Sequence, residues 1–204
     1  NSFIAALRPA VDSLLKFIED NSLKVIGMEH TIDTVFPVIG AFTGSIDLLL
    51  ADADGNLVIV DMKWNEGKTY NRRLEKGNTL QLALYRKAME TDGHKVVCEG
   101  YFVLPQRKFL TSVDYLQPSD IVEIIEGEQF GDHFELACNS YEYRMEQIEQ
   151  GIIEEAEGFS LADIQYHKDA NTRRLYPLER AYEDDTTKSS PYGTPNLILK
   201  GGLA

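Results

Sequence analysis

Two acidic residues interrupt apolar runs that otherwise read as buried strands. Asp47 lies within Gly44-Ser45-Ile46-Asp47-Leu48-Leu49-Leu50, and Asp61 within Val58-Ile59-Val60-Asp61-Met62-Lys63. An ionised carboxylate in such a run costs on the order of several kcal/mol unless something pairs it. Lys63 stands two places after Asp61, so the two side chains share one strand face, while Val60 and Met62 share the other. Whether Asp47 also shares that face depends on the turn Asp52-Ala53-Asp54-Gly55-Asn56. Asp54 stands midway between the two acids. An odd-length loop with Gly55 left-handed brings Asp47 opposite Asp61, whereas a two-residue Asp54-Gly55 turn opposes Asp47 to Met62 and splits the acids between faces.

In the first register the two carboxylate-bearing Cβ atoms stand only ~4.5–5.5 Å apart. Two carboxylates that close do not both ionise cheaply without a counter-charge. A Mg²⁺ or Mn²⁺ ion resolves the conflict, because hard cations take oxygen ligands in octahedral geometry. The carbonyl of Met62 offers a further oxygen, and Lys63 would stand beside the metal-bound water and a substrate phosphate. A buried Asp–Lys ion pair with no chemistry accounts for Asp61 and Lys63 alone and stays open here. A calcium loop starting at Asp52 fails on spacing, since its sixth position would be Leu57 and its twelfth Lys63.

The chain has 204 residues, enough for one well-buried domain. No apolar stretch approaches the ~18–20 residues that span a bilayer, and no signal peptide stands at Asn1, so no membrane role is expected. The chain opens directly in helical sequence without an initiator Met, which suggests a fragment of a longer protein. Cys98 and Cys138 are too few for a zinc or iron–sulfur site and read as reduced core thiols of a cytoplasmic protein. A net charge of −13 argues against a generic nucleic-acid binder. It leaves a nuclease possible, because the acids cluster at Glu123 to Glu128, Glu154 to Glu157 and Glu183 to Asp185, and a local basic patch can still steer a polyanion.

Ile4, Leu7, Val11, Leu14, Leu15 and Ile18 recur at helical spacing and predict an amphipathic helix ending near Asn21. Strands follow at Lys24 to Asp33, Ala41 to Leu50 and Leu57 to Trp64, then a polar loop at Asn65 to Asn71. A helix is expected from Leu74 to Glu90 and a strand from Val96 to Leu104. Asp120 to Glu157 reads as mostly helical with a break near Gly127 to Gly131. The tail beyond Gly158 is unassigned apart from a short strand at Asn196 to Lys200. The order specifies an α/β fold with a mixed sheet in a single domain, with its core at about residues 1–110 and an extension at 111–204.

Taken together, Gly44-x-Ile46-Asp47, then Asp61-Met62-Lys63, then Gln81-Leu82-Ala83-Leu84-Tyr85 resemble the PD-(D/E)XK nuclease superfamily, and within it the RecB-like exonuclease branch with its QxxxY helix. The resemblance covers about residues 24–104. It implies a restriction-endonuclease-like core, a mixed sheet flanked by helices, here with additional C-terminal helices. It implies that Asp47 and Asp61 bind one or two Mg²⁺ or Mn²⁺ ions, with Glu29 a further metal or water ligand. Lys63 would orient the attacking water and stabilise the transition state, and Gln81 and Tyr85, one helical turn apart, would orient the lysine or contact the DNA backbone. The helix Phe3 to Asp20 lacks the histidine that many members of this branch carry, and the four-cysteine cluster signature of some relatives is missing.

Lys68, Tyr70, Arg72 and Arg73, in the segment between Lys63 and Gln81, are candidates for DNA contact, with Tyr70 stacking on a base. Arg107 and Lys108 are further basic candidates. The expected activity is metal-dependent hydrolysis of DNA, as an exonuclease of repair, recombination or phage-type processing, beside a helicase domain or subunit. The rival expectation is a nuclease-like domain that binds DNA or protein without cutting.

Overall fold

The computed structural model describes residues 2–64, 67–77, 79–127 and 133–151. The chain falls into two compact units, residues 1–130 and 131–204. The first opens with helix α1 (Ser2–Asp20), followed by strands β1 (Lys24–Phe36), β2 (Gly40–Ala51) and β3 (Leu57–Lys63). Helices α2 (Gly67–Glu75) and α3 (Leu80–Thr91) come next, then β4 (Val96–Val103), β5 (Lys108–Thr111) and β6 (Val122–Ile124). The second unit contributes α4 (His133–Glu149). The tail strand expected at 196–200 lies outside the described residues.

The six strands form one sheet in chain order. β1, β2 and β3 are antiparallel neighbours, β3 and β4 are parallel, β4 and β5 antiparallel, and β5 and β6 parallel. The parallel step between β3 and β4 follows from the chain: α2 and α3 carry it back to the same end of the sheet. This is the mixed α/β sheet flanked by helices of a restriction-endonuclease-like fold.

Strand alternation divides the sheet's apolar residues between two cores. On one face Phe17 of α1 packs with Leu48, Leu50, Val58, Val60, Cys98, Phe102 and Phe109. Its ring stands 4.8 Å from that of Phe109 and 6.4 Å from that of Phe102. On the other face Tyr70 and Leu74 of α2 and Leu82 of α3 pack with Tyr101, Val103 and Leu110. In β4 the even-numbered Cys98 and Phe102 join the first core and the odd-numbered Tyr101 and Val103 the second. Asp61 and Lys63 are odd-numbered as well, which places them on the α2–α3 side.

Three expectations need correction. The segment read as a polar loop, 65–71, is in large part helix α2. Its single apolar pair, Tyr70 and Leu74, is spaced one turn apart and is too short a pattern to stand out. The helix read from Leu74 to Glu90 is two helices, because Gly77 takes φ 61° and donates to the Leu74 carbonyl, ending α2. Part of the stretch read as helical from Asp120 is strand β6, which pairs with β5 and carries the sheet past residue 110. Strands of four and three residues are too short to display alternation in the sequence.

Phe17 is fully buried between helix and sheet. Phe17→Ala should destabilise the protein by about 3–5 kcal/mol, seen as a lower urea midpoint without a change in slope.

Candidate functional site

The turn between β2 and β3 decides where Asp47 goes. Asp52 Oδ1 accepts hydrogen bonds from the backbone N–H of Asp54 (2.9 Å) and Asn56 (2.8 Å), and Oδ2 accepts from Asn56 Nδ2 (2.8 Å). Tyr115 donates to Oδ2 as well, and these bonds, the tyrosine's first, hold the Asp52 carboxyl down at about 2. Gly55 takes φ 83°, the left-handed state that closes an odd-length loop. The resulting register pairs Ala51 with Leu57 and Leu48 with Val60. One step further along that register stands Asp47 opposite Asp61.

At that step the backbone ladder stops and a side chain takes over. Asp47 Oδ2 accepts the Met62 N–H at 2.6 Å. On the other side of β3, the Lys63 carbonyl accepts from Leu104 N–H at 2.9 Å. Carbonyl directions alternate along a strand, so the Met62 carbonyl turns toward β2, beside Asp47.

Asp61 is 2 % exposed. Lys63 Nζ stands 2.5 Å from its Oδ2 as an ion pair. Apart from that contact, Oδ2 is buried with no hydrogen-bond donor among the described residues. Burial pushes the Asp61 carboxyl up; Lys63 pulls it down, Asp47 pushes it further up, and Arg73 pulls it down, with the upward effect winning. The protein therefore holds a carboxylate that is under-compensated by its own side chains.

Glu29 falls opposite Asp47 by the register of β1 and β2, which pairs Met28 with Leu48 and His30 with Ile46. It lies within β1, takes φ 48°, and accepts from Ser45 Oγ at 3.3 Å. No group of three or more His, Cys, Asp or Glu side chains is gathered as a metal cluster among the described residues, so Glu29 does not complete one with Asp47 and Asp61. Two carboxylates and a strand carbonyl nonetheless fit Mg²⁺ or Mn²⁺, which bind through one or two carboxylates and keep several waters. The upward push on the buried Asp61 carboxyl, which Lys63 offsets only in part, is what such an ion would relieve.

Gln81 and Tyr85 lie on one face of α3, and Gln81 Nε2 donates to the Tyr85 hydroxyl at 2.9 Å. The Tyr85 ring is 6.4 Å from that of Phe42. A Cβ at Gly44 would come 3.1 Å from both Tyr85 Cε1 and Phe42 Cζ. The glycine three residues before Asp47 thus lets α3 approach β2, so the first and third motifs are one contact.

The basic segment is divided. Lys68 and Arg72 are exposed on α2, and Arg73 is half-buried with its guanidinium 5.7 Å from the Tyr70 ring centre. Tyr70 itself is 5 % exposed, which corrects the expectation that it stacks on a base. Lys108 pairs with Glu123 of β6 at 2.5 Å, while Arg107 is exposed at φ 58°. The residue missed in the sequence is Tyr101, which faces Asp61 in the β3–β4 register and lies under Lys63, 6.0 Å from Nζ to ring centre. Only the parallel pairing of β3 with β4 brings it there, and no local signal encodes that register. Cys98 and Cys138 are both thiols, and burial pushes Cys98 up to about 12, leaving it inert.

A raised folded-state carboxyl costs stability as pH climbs from the unfolded value through the folded one, because the unfolded chain releases its proton first. In metal-free buffer, urea unfolding from about pH 4 to about pH 7 should therefore show Asp61→Asn gaining on the wild-type protein as pH rises. A difference that is constant with pH would contradict the burial described.

The match to a family model covers residues 3–170 and is to the PD-(D/E)XK nuclease superfamily. A search of curated proteins finds no match. Members of that superfamily generally hydrolyse phosphodiester bonds, typically with divalent metal ions, and act on nucleic acid. With the match spanning most of its length, the chain belongs to the PD-(D/E)XK nuclease superfamily.

Proposed function

We propose that this chain is a Mg²⁺- or Mn²⁺-dependent deoxyribonuclease of the RecB-like exonuclease branch. The observation that carries the proposal is the buried Asp61 carboxylate, ion-paired to Lys63 yet under-compensated, with Asp47 opposite it one step beyond the Leu48–Val60 pair. A family of nucleases explains why so costly an arrangement persists at a strand end.

Asp47, Asp61 and the Met62 carbonyl would hold the ion, with Glu29 reaching it through water. The bound ion would supply Lewis acidity toward the phosphate oxygens and the attacking water. Asp47 is held by the Met62 N–H, so its second oxygen is aimed without rotamer search. Lys63, fixed against Asp61, presents an ammonium where charge develops on the phosphate. Gln81, tied to Tyr85, orients the lysine or the DNA backbone. Lys68 and Arg72, exposed on α2, would contact phosphates, and Arg73, half-buried against Tyr70, would add positive charge beside the site. A helicase domain or subunit would deliver the strand in DNA repair, recombination or phage-type processing.

The test is degradation of linear DNA by the purified chain with Mn²⁺ and with chelator. Lys63→Ala and Asp61→Ala should each lower cleavage by about 10³-fold or more, with a near-native circular dichroism spectrum. Cleavage that survives in Lys63→Ala, or that persists in chelator, would defeat the proposal.

A further inference from the structure

The side chains beside the acid–lysine cluster form a continuous run from one cation to another. Lys63 Nζ stands 6.0 Å from the Tyr101 ring centre. The Tyr101 and Tyr70 ring centres are 4.9 Å apart with a 43° tilt. Arg73 Cζ stands 5.7 Å from the Tyr70 ring centre. Three separate elements contribute: β3 gives Lys63, β4 gives Tyr101, and α2 gives Tyr70 and Arg73.

Both rings are buried, packed with Leu74, Leu82, Val103 and Leu110, so neither face is available to a nucleic-acid base. Ring faces attract cations more strongly when the pair is desolvated. The Arg73 Nε is buried without a hydrogen-bond partner among the described residues, so at that nitrogen the Tyr70 ring is what the guanidinium rests beside. Lysine and arginine each carry large rotamer entropy, and a fixed ring under each removes part of that freedom before any substrate arrives.

We infer that Tyr70 and Tyr101 are positioning residues: their packed, tilted rings set where Lys63 and Arg73 stand relative to Asp61, which makes helix α2 part of the cleavage machinery rather than a connector between motifs. The kinetic side of this inference rests on the nuclease reading above. The tyrosines act through the two cations and not on the reacting atoms. What the contact needs is the ring, so phenylalanine serves in place of Tyr70.

Cleavage of linear duplex DNA in Mn²⁺ by the full chain tests it, with kcat and KM measured separately and corrected for folded fraction. Tyr70→Phe should stay within about twofold of the wild-type chain, and Tyr70→Leu should lose about tenfold or more in kcat with KM nearly unchanged. Phe102→Leu, on the opposite face of β4, is the control for lost packing alone and should keep kcat. A Tyr70→Leu variant with wild-type kcat, or a Phe102→Leu loss of equal size, overturns the inference. The stack is also read without catalysis, by urea-unfolding double-mutant cycles pairing Tyr101→Leu with Lys63→Met and Tyr70→Leu with Arg73→Gln. Coupling in both cycles supports the stack. Additive cycles in an active enzyme overturn it alone, whereas coupled cycles in a wild-type chain that cuts no DNA overturn the nuclease reading and leave the ring-and-cation run standing.

Discussion

The buried carboxylate of Asp61 is the constraint around which this half of the sheet is arranged. Left alone in a strand between two apolar cores, it would protonate or unfold its surroundings. Lys63 compensates it directly, and Arg73 does so from α2. Asp47 works against it, and the upward push on the carboxyl records that the compensation is incomplete. Under the nuclease reading, a hard cation would make up that deficit of positive charge. The same deficit would be a plain defect in a protein with no use for one.

Geometry makes that deficit possible through a turn remote from it. The Asx-type hydrogen bonds of Asp52 and the left-handed Gly55 close an odd loop, and the loop fixes the register that opposes Asp47 to Asp61. A one-residue slip would turn every side chain of β2 to the other face of the sheet. Past Leu48 and Val60 the strands exchange backbone pairing for the Asp47–Met62 contact. The acids therefore sit where the sheet opens, with ordinary ladder on one side only.

Local patterns carried much of this into the sequence. Asp47, Asp61 and Lys63 were legible because charged residues in apolar runs violate strand patterning, and the register was legible as one of two choices set by Gly55. Gln81 and Tyr85 were singled out by resemblance to the QxxxY motif and put on one face by helical spacing, although the reason for Gly44, close approach of Tyr85, emerges only in three dimensions. What stayed hidden depends on long-range pairing or on weak local signal. Tyr101 reaches Lys63 through a parallel pairing that the intervening helices create. Helix α2 hides behind charged residues, so Tyr70 read as an exposed aromatic among cations when it is a core residue. Glu29 lies inside β1 and accepts from Ser45, a pairing of two strands that no local pattern displays.

Binding of Mn²⁺ followed by electron paramagnetic resonance, in the absence of DNA, goes to the centre of the account. The wild-type chain should convert the free-ion signal to a bound one, and Asp47→Asn and Asp61→Asn should each weaken that binding by about tenfold or more, while Asp54→Asn on the remote turn leaves it unchanged. Equal Mn²⁺ affinity in all four proteins would mean that Asp47 and Asp61 share no ion, and the explanation offered for the buried carboxylate would fail with it.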